Sequence, residues 1–249
     1  MSATQTSMSH CQVLIVGAGP TGLVLAAQLL ARGVRTRVID KGEGPARQSR
    51  AISIYARTLE LLDTMGLAET FIAHGHQVHR LHWYAGKRTL LNLDLARNGS
   101  RYGFVLHLPQ NETERLLRAR VRDLGGGIEQ GVELVRLAQH GNAVDATLRD
   151  ATGRDIELSA DYVVGCDGAR SRVRHELGLA FEGQPYRTTG CWPTSHLTGP
   201  AATTRRTCSS VRTDYRWSAL RWVVTGGAWS CPTRATAADG LRLSRRSRI

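Results

Sequence analysis

The pattern of apolar and polar positions in the first 40 residues predicts three successive elements. Residues 12–16 (QVLIV) form a short β-rich apolar run, as in a strand that is buried on both faces. Residues 23–32 then carry Leu and Ala at helical spacing, and Gly33 follows as a C-terminal stop signal. Residues 35–39 predict a second strand, which ends at Asp40.

Two later segments have helical spacing. One is residues 56–67, ARTLELLDTMGL. The other opens at Pro109, a residue whose fixed φ suits the start of a helix. Its apolar positions are Leu116, Leu117 and Val121.

Most of the remaining pattern predicts strands. Three β-rich stretches with Asn142 and Gly153 in the gaps predict a β-meander. A buried-type strand over 160–166 then ends at Asp167-Gly168, and a short helix is expected to follow. The meander stretches are 132–139, 143–149 and 154–158, and strands within 78–93 and 104–108 would begin a separate sheet.

The turn between the first strand and the first helix reads Gly17-Ala18-Gly19-Pro20-Thr21-Gly22, a G-x-G-x-x-G motif. Gly17 permits the tight turn, Gly19 lets a pyrophosphate approach the backbone, and Gly22 lets the helix pack close to the strand. The helix N-terminus points N–H groups and a positive dipole at the phosphate. Asp40 can accept hydrogen bonds from an adenosine ribose, and its charge disfavours NADP here. The motif predicts dinucleotide binding and does not distinguish FAD from NAD.

Several polar residues have both a structural and a cofactor-binding interpretation. Arg47 and Arg50 either belong to a solvated basic face or turn back onto the phosphates. Gln110 is either a first-turn polar residue of its helix or a cofactor contact. Asp167 either caps the helix over 171–177 or binds a ribityl hydroxyl, because α/β folds place ligand contacts at strand ends. The residues alone leave these alternatives open.

Composition and charge narrow the class of protein. The 249 residues are 41% hydrophobic and 22% charged, which excludes a disordered tail protein, a collagen-like repeat and a small disulfide scaffold. The net charge of +12 is uneven: residues 1–190 hold 23 Lys+Arg against 19 Asp+Glu (+4), and residues 191–249 hold 10 Arg against two Asp (+8). That last segment shows neither strand nor helix periodicity. Because its charge is scattered, we expect no specific nucleic-acid partner.

No metal site and no membrane segment are expected. The five cysteines lack C-x-x-C spacing, and the cluster of His74, His76, His79 and His82 has no neighbouring Cys or carboxylate, which favours an exposed loop leading into a strand. The apolar stretches are too short for a transmembrane helix, and the first ten residues lack the features of a signal peptide. A cytoplasmic location is therefore expected.

Five features in order resemble a known family. They are GAGPTG, Asp40, RQSRAISIYARTLELLDTMGL, LPQNETERLL and YVVGCDGARSRVR. Together they resemble the class A flavoprotein monooxygenases, the para-hydroxybenzoate hydroxylase-like aromatic hydroxylases, and particularly those associated with aromatic polyketides. The resemblance covers about residues 11–186. It implies an α/β fold: a Rossmann-like FAD/NAD(P)-binding domain with a β-meander and an incomplete substrate sheet.

The resemblance also implies roles by position. The glycine motif would cradle the FAD pyrophosphate, and the acid after the second strand, flanked by a lysine, would hold the adenosine ribose. The arginine segment and the glutamine of LPQ would contact FAD, a backbone group in the meander would reach the adenine, and the DG motif would serve FAD and NAD(P)H. The implied residues are Gly17, Ala18, Gly19, Pro20, Thr21, Gly22, Asp40, Lys41, Arg47, Arg50, Gln110, Leu134, Asp167 and Gly168.

The activity implied by the resemblance is that of an FAD-dependent monooxygenase. NAD(P)H, bound transiently, would reduce FAD, and O2 would then serve to hydroxylate an aromatic or polyketide-like small molecule. The family has a second flavin motif, G-D-A-x-H-x-x-x-P, and the sequence contains no Gly-Asp dipeptide. The alternatives are therefore a catalytically inactive FAD-binding fragment or pseudoenzyme, or an FAD-linked reductase without oxygen transfer.

The expected organisation has three parts. Residues 1–10 form a flexible N-terminus, and residues 11–186 form the FAD-binding domain, with 78–108 contributing to a partial substrate-side sheet. Residues 187–249 form an atypical tail rich in Arg, Ser, Thr and Trp. Its composition suggests an out-of-frame or disordered segment.

Overall fold

The computed structural model describes residues 9–45, 51–85 and 88–183, together with short strands between residues 194 and 230. The chain divides into two units. The first consists of Met1–Gln77 and Leu106–Gln184, and the second of Val78–Val105 and Pro185–Ile249.

The elements follow each other along the chain in the order expected of an α/β protein. The helices are α1 (Pro20–Leu30), α2 (Ala56–Asp63), α3 (Ala68–His74), α4 (Gln110–Asp123) and α5 (Arg172–Glu176). The strands up to Gly165 are β1 (Ser9–Val16), β2 (Thr36–Asp40), β3 (Ser53–Ile54), β4 (His76–Val78), β5 (Arg80–Ala85), β6 (Arg88–Asp94), β7 (Val105–His107), β8 (Ile128–Gln130), β9 (Glu133–His140), β10 (Ala143–Arg149) and β11 (Asp155–Gly165). Those beyond it are β12 (Thr194–Ser195), β13 (Arg206–Thr207), β14 (Val211–Thr213), β15 (Arg216–Ser218), β16 (Leu220–Val224) and β17 (Trp229–Ser230).

A six-stranded sheet with the order β8-β2-β1-β11-β10-β9 organises the first unit. The strands β8, β2, β1 and β11 run parallel, whereas β11, β10 and β9 form an antiparallel meander. The α/β fold predicted from the sequence, with its strand–helix–strand start and its meander, is confirmed. Because β1 lies between two parallel partners, its carboxyl end opens beside those of β2 and β11.

The strand β11 differs from the sequence-based prediction. Two strands were expected, over 154–158 and 160–166, but Asp155–Gly165 forms one continuous strand of 11 residues. Its first part pairs with β10 as far as Ala160, and its pairing with β1 runs from Leu158 to Gly165. Ser159, which the prediction left between two strands, is therefore a strand residue at the junction of the meander and the parallel sheet.

Both faces of the parallel strands are covered in the first unit. On one side α1 packs against α4, with Leu23, Ala26, Leu117 and Val121 all buried. On the other side a cluster joins β1 to the meander and α5; its members include Leu14, Val16, Leu134, Leu148, Leu158 and Val173. Burial of each such side chain contributes roughly 1.5–3 kcal/mol, and this explains why the run QVLIV contains no charged residue.

The second unit is built from short antiparallel pairings. Its main sheet has the order β13-β16-β5-β6, and β12 pairs with β17 and β14 with β15. The strands predicted within 78–93 are thus present as β5 and β6. Across the residues that the structure describes, no helix is both long and apolar enough to span a membrane.

A three-stranded sheet, β3-β7-β4, brings two histidines together. His107 of β7 lies opposite Ser53, and His76 occupies β4. Burial, with a smaller contribution from the charge of His76, lowers the pKa of His107 to about 4. His76 and His74 therefore lie in β4 and α3, not in the exposed loop that the sequence suggested.

This burial predicts a pH dependence of stability. The pKa of His107 is about 4 in the folded protein, against 6.5 for an unperturbed histidine, so the unfolded chain binds the proton first as the pH falls. Stability contributed by the neutral form is complete above pH 6.5 and is lost between 6.5 and about 4, by at most about 3 kcal/mol. The free energy of unfolding, measured by urea denaturation at several pH values in this range, should decrease as the pH falls. His107→Gln should flatten this pH dependence. The exposed His140→Gln serves as the control, and an equal slope in wild type and H107Q would contradict the prediction.

Candidate functional site

Backbone contacts hold the turn after β1. The Gly17 N–H donates to the Ile39 carbonyl at 2.8 Å, and the Cys166 N–H donates to the Val16 carbonyl at 2.7 Å. Gly17 has a φ of 106°, and a Cβ there would lie under 3.0 Å from the Cys166 carbonyl. A Cβ on Gly22 would clash in the same way with the Gly17 carbonyl. The ends of β1, β2 and β11 therefore meet where only a glycine backbone fits.

Gly19, the N-cap residue of α1, differs from the other two glycines. Its φ of −74° and ψ of 179° are open to any residue, and a Cβ added there meets no atom within 4 Å. Pro20 follows as the first helical residue, where its missing N–H costs nothing, and Thr21 is exposed. Among the residues that the structure describes, no side chain caps α1, so the first N–H groups of this helix remain available to a ligand.

Asp40 ties the end of β2 to the glycine turn. Its Oδ2 accepts a hydrogen bond from the Ala18 N–H at 2.6 Å, and its Oδ1 accepts one from the Gly42 N–H at 2.7 Å. Ala18 is buried, whereas Lys41 is exposed. A carboxylate has about four acceptor positions, so both oxygens keep capacity for a further donor such as a ribose hydroxyl.

Asp167 caps α5 and leaves one oxygen unpaired. Its Oδ2 accepts from the N–H groups of Arg172 at 2.5 Å and Val173 at 3.3 Å, and the Ser171 hydroxyl accepts from the Arg174 N–H at 3.0 Å. Its Oδ1 is buried without a hydrogen-bond partner among the described residues. A buried acceptor left unpaired costs about 1–3 kcal/mol, so a donor from a bound ligand would fit here.

These groups surround one cavity of about 470 Å³. It lies at the carboxyl ends of the parallel strands, the position where open α/β sheets bind their ligands. Seven of the residues predicted from the sequence line it: Gly17, Gly19, Asp40, Lys41, Leu134, Asp167 and Gly168. The structure thus brings together residues that are up to 151 positions apart in the chain.

The other predicted residues are placed differently. Ala18, Pro20, Thr21 and Gly22 belong to the turn and the first helical residues without lining the cavity. Gln110 is the first residue of α4, and its Nε2 donates to the Glu114 carboxylate at 2.9 Å. Arg47 and Arg50 lie outside the described residues.

Sequence reasoning missed several residues of the cavity wall. Arg170, Arg172 and His175 line it, and Arg172 also forms an ion pair with Glu176 at 2.9 Å. The signal was the run RSRVRH directly after the DG motif, at the end of a strand. Arg170 and Arg172 add positive charge beside Asp167, which favours an anionic ligand.

Cys166 also lines the cavity. Burial, and then the negative charge of Asp167, raise the pKa of its thiol. The thiol is therefore protonated at neutral pH and is unsuited to nucleophilic chemistry. Cys166 contributes to packing, because its backbone carbonyl leaves no room for a Cβ on Gly17.

A parallel sheet with a glycine-rich turn and a cavity at its carboxyl end defines the class of Rossmann-like dinucleotide-binding folds. The chain belongs to the FAD binding domain family, whose match covers residues 10–210. The match runs past residue 186, where the composition changes.

Named relatives agree with this family. A 6-methylpretetramide 4-monooxygenase of Streptomyces rimosus is 45% identical over 179 residues, which are 71% of this chain and 32% of that protein. The OxyS anhydrotetracycline hydroxylase of Streptomyces rimosus has a TM-score of 0.65 at 29% identity, over 89% of this chain and 45% of that one. A ternary complex of aklavinone-11 hydroxylase with FAD and aklavinone has a TM-score of 0.60 at 29% identity, over 72% and 36%. The predicted resemblance is confirmed, and the chain spans about a third of the curated relative.

Because Gly22 lies so close to the Gly17 carbonyl, we expect an alanine at this helical position to destabilise the protein and not to stabilise it. Gly→Ala within a helix normally stabilises a protein by about 1 kcal/mol, but the new Cβ of Gly22→Ala would displace the Gly17 carbonyl. We expect G22A to lower the free energy of unfolding by about 1–3 kcal/mol. Gly127→Ala is the matched control, because its Cβ would meet open space. Urea denaturation measures both, and a stabilised G22A would refute the packing argument.

Proposed function

We propose that this chain is the FAD-binding part of an NAD(P)H-dependent monooxygenase that hydroxylates an aromatic or polyketide-like small molecule. The observation that carries the proposal is the cavity lined by the glycine turn, Asp40 and Asp167, whose Oδ1 is buried without a hydrogen-bond partner among the described residues. The relatives named as monooxygenases support the reaction type.

The dinucleotide fits the cavity in a defined order. The diphosphate lies against the turn at Gly19, where a Cβ would meet only open space and the N–H groups of α1 are uncapped. Asp40, anchored to the Ala18 N–H, accepts hydrogen bonds from the adenosine ribose. Lys41 flanks that ribose, and Leu134 presents its backbone to the adenine.

The opposite wall receives the flavin side of the cofactor. Asp167 Oδ1 is the buried acceptor that lacks a partner among the described residues, and a ribityl hydroxyl supplies the missing donor. Gly168, with a φ of 77°, lets the backbone turn away at this point. Arg47, Arg50 and Gln110 complete the proposed set of FAD contacts.

Bound FAD supplies hydride acceptance from NAD(P)H and activation of O2. The residues of this chain bind and orient the cofactor, and the cationic side chains of Arg170 and Arg172 offset its phosphate charge. NAD(P)H binds transiently, with the DG motif as its contact on this chain. The aromatic substrate and O2 are the remaining reactants.

A second candidate is an FAD-binding fragment without monooxygenase activity. The sequence has no Gly-Asp dipeptide, which the family's second flavin motif contains. Within the first unit, the large apolar side chains of Tyr162 and Phe181 are 70% and 71% exposed. Measurement of NAD(P)H oxidation and of oxygen transfer to the substrate distinguishes this candidate from the first.

Titration of the full chain with FAD tests the cofactor. We expect saturable binding, measured by calorimetry and by the change in flavin fluorescence. Gly19→Asn should weaken it at least about tenfold, a loss of about 1.4 kcal/mol, because the side chain fills the space of the diphosphate. Asn is a favourable N-cap residue, so stability is retained. Gly127→Asn, at the opposite end of the sheet, should bind like wild type; equal affinity in all three proteins would refute the proposal.

The FAD-loaded chain is then mixed with NADH or NADPH in air, with and without an aromatic polyketide. Oxidation of the nucleotide that the substrate stimulates, with one oxygen gained by the substrate in mass spectrometry, supports the monooxygenase. Oxidation without oxygen transfer indicates an FAD-linked reductase. Bound FAD without oxidation indicates the inactive fragment.

A further inference from the structure

An arginine of α4 reaches the backbone of the glycine turn. Arg118 lies on α4, which packs against α1, and is half-buried. Its Nη2 donates to the Ala18 carbonyl at 3.4 Å. Ala18 itself is only 1% exposed, so this contact is made below the surface.

The guanidinium is held at its other end by the edge of the sheet. The Gln130 side-chain amide is assigned the orientation in which both its oxygen and its nitrogen have hydrogen-bond partners. In this orientation Arg118 Nη1 donates to the Gln130 oxygen at 2.7 Å, and the Gln130 nitrogen donates to the Glu43 carbonyl at 2.8 Å. Gln130 ends β8 directly beside Asp40. Arg118 therefore joins α4, the end of β8 and the turn.

The contact with Ala18 fixes the direction of one peptide group. The described residues contain no cis peptide bond, so the carbonyl of Ala18 and the N–H of Gly19 point in opposite directions. Because Arg118 donates to the carbonyl, the Gly19 N–H points away from the guanidinium, and Gly19 is a residue that lines the cavity. The Ala18 N–H, which belongs to the preceding peptide group, is fixed by Asp40 at 2.6 Å, so both backbone polar groups of Ala18 are held.

We propose that Arg118 is a positioning residue for the dinucleotide diphosphate, acting through the Ala18–Gly19 peptide. It does not line the cavity; it orients the amide that the phosphate meets, and its charge adds to the positive potential there. The inference rests on the proposed function, since it assumes a diphosphate ligand at this turn.

Comparison of three ligands isolates this role. FAD, ADP and adenosine are titrated calorimetrically into wild type, Arg118→Met, Arg118→Lys and Arg115→Met. Arg115 is the matched control, because it is an exposed arginine of α4 paired with Glu112 at 2.8 Å. R118M should weaken FAD and ADP by the same factor, about 5- to 20-fold for the loss of an oriented, charge-assisted contact. R118K should recover part of the loss, while adenosine binding and all R115M values stay at the wild-type level.

The ligand-free chain provides an independent measurement. Hydrogen exchange of the segment 14–23 should be several-fold faster in R118M than in R115M, because the turn loses its anchor. An equal loss for adenosine and ADP in R118M would overturn the proposal, since it indicates general damage to the fold. Unchanged exchange in R118M would also overturn it. Wild type that binds neither FAD nor ADP would refute the proposed function, whereas faster exchange in R118M would still show that Arg118 positions the turn.

Discussion

The packing of three backbones at the carboxyl end of the parallel sheet constrains the first unit more than any side-chain contact. Gly17, Gly22 and Cys166 approach so closely that a Cβ on either glycine would overlap a carbonyl group. The hydrogen bonds of Gly17 to Ile39 and of Cys166 to Val16 lock β1 between its two neighbours at this point. Because the turn has no room to move, the open space beside Gly19 is a fixed feature of the fold.

Much of this arrangement could be predicted from the sequence because its signals are local. The apolar run of β1, the glycine spacing and the acid at the end of β2 lie within 40 residues, and each is dictated by backbone geometry or by burial on both faces. The helix α4 was likewise predictable, since Leu116, Leu117 and Val121 recur at helical spacing and are all buried. The burial of such elements can be predicted from their own residues, without knowledge of the elements that they contact.

The rest depends on contacts between distant residues. The prediction divided β11 into strands over 154–158 and 160–166, and only the simultaneous pairing of this segment with β1 and β10 shows that Ser159 continues the strand. Arg118 was not singled out by the sequence pattern. Its approach to Ala18, 100 residues earlier, becomes visible only when α4 is packed against α1. Periodicity identifies the buried face of a helix, but it does not identify which element that face will meet.

Asp167 shows how a carboxylate that lines a cavity can be held rigid by the helix that it caps. The helix α5 has only five residues, too short to be stable by itself, and its first N–H groups need an acceptor. By accepting from Arg172 and Val173, one oxygen of Asp167 both caps the helix and fixes the carboxylate plane. The second oxygen is therefore held in place without further loss of side-chain entropy, and a ligand hydroxyl that reaches it meets an acceptor that is already oriented. The same geometry explains why the two interpretations of this residue, helix cap and cofactor contact, are compatible: each uses a different oxygen.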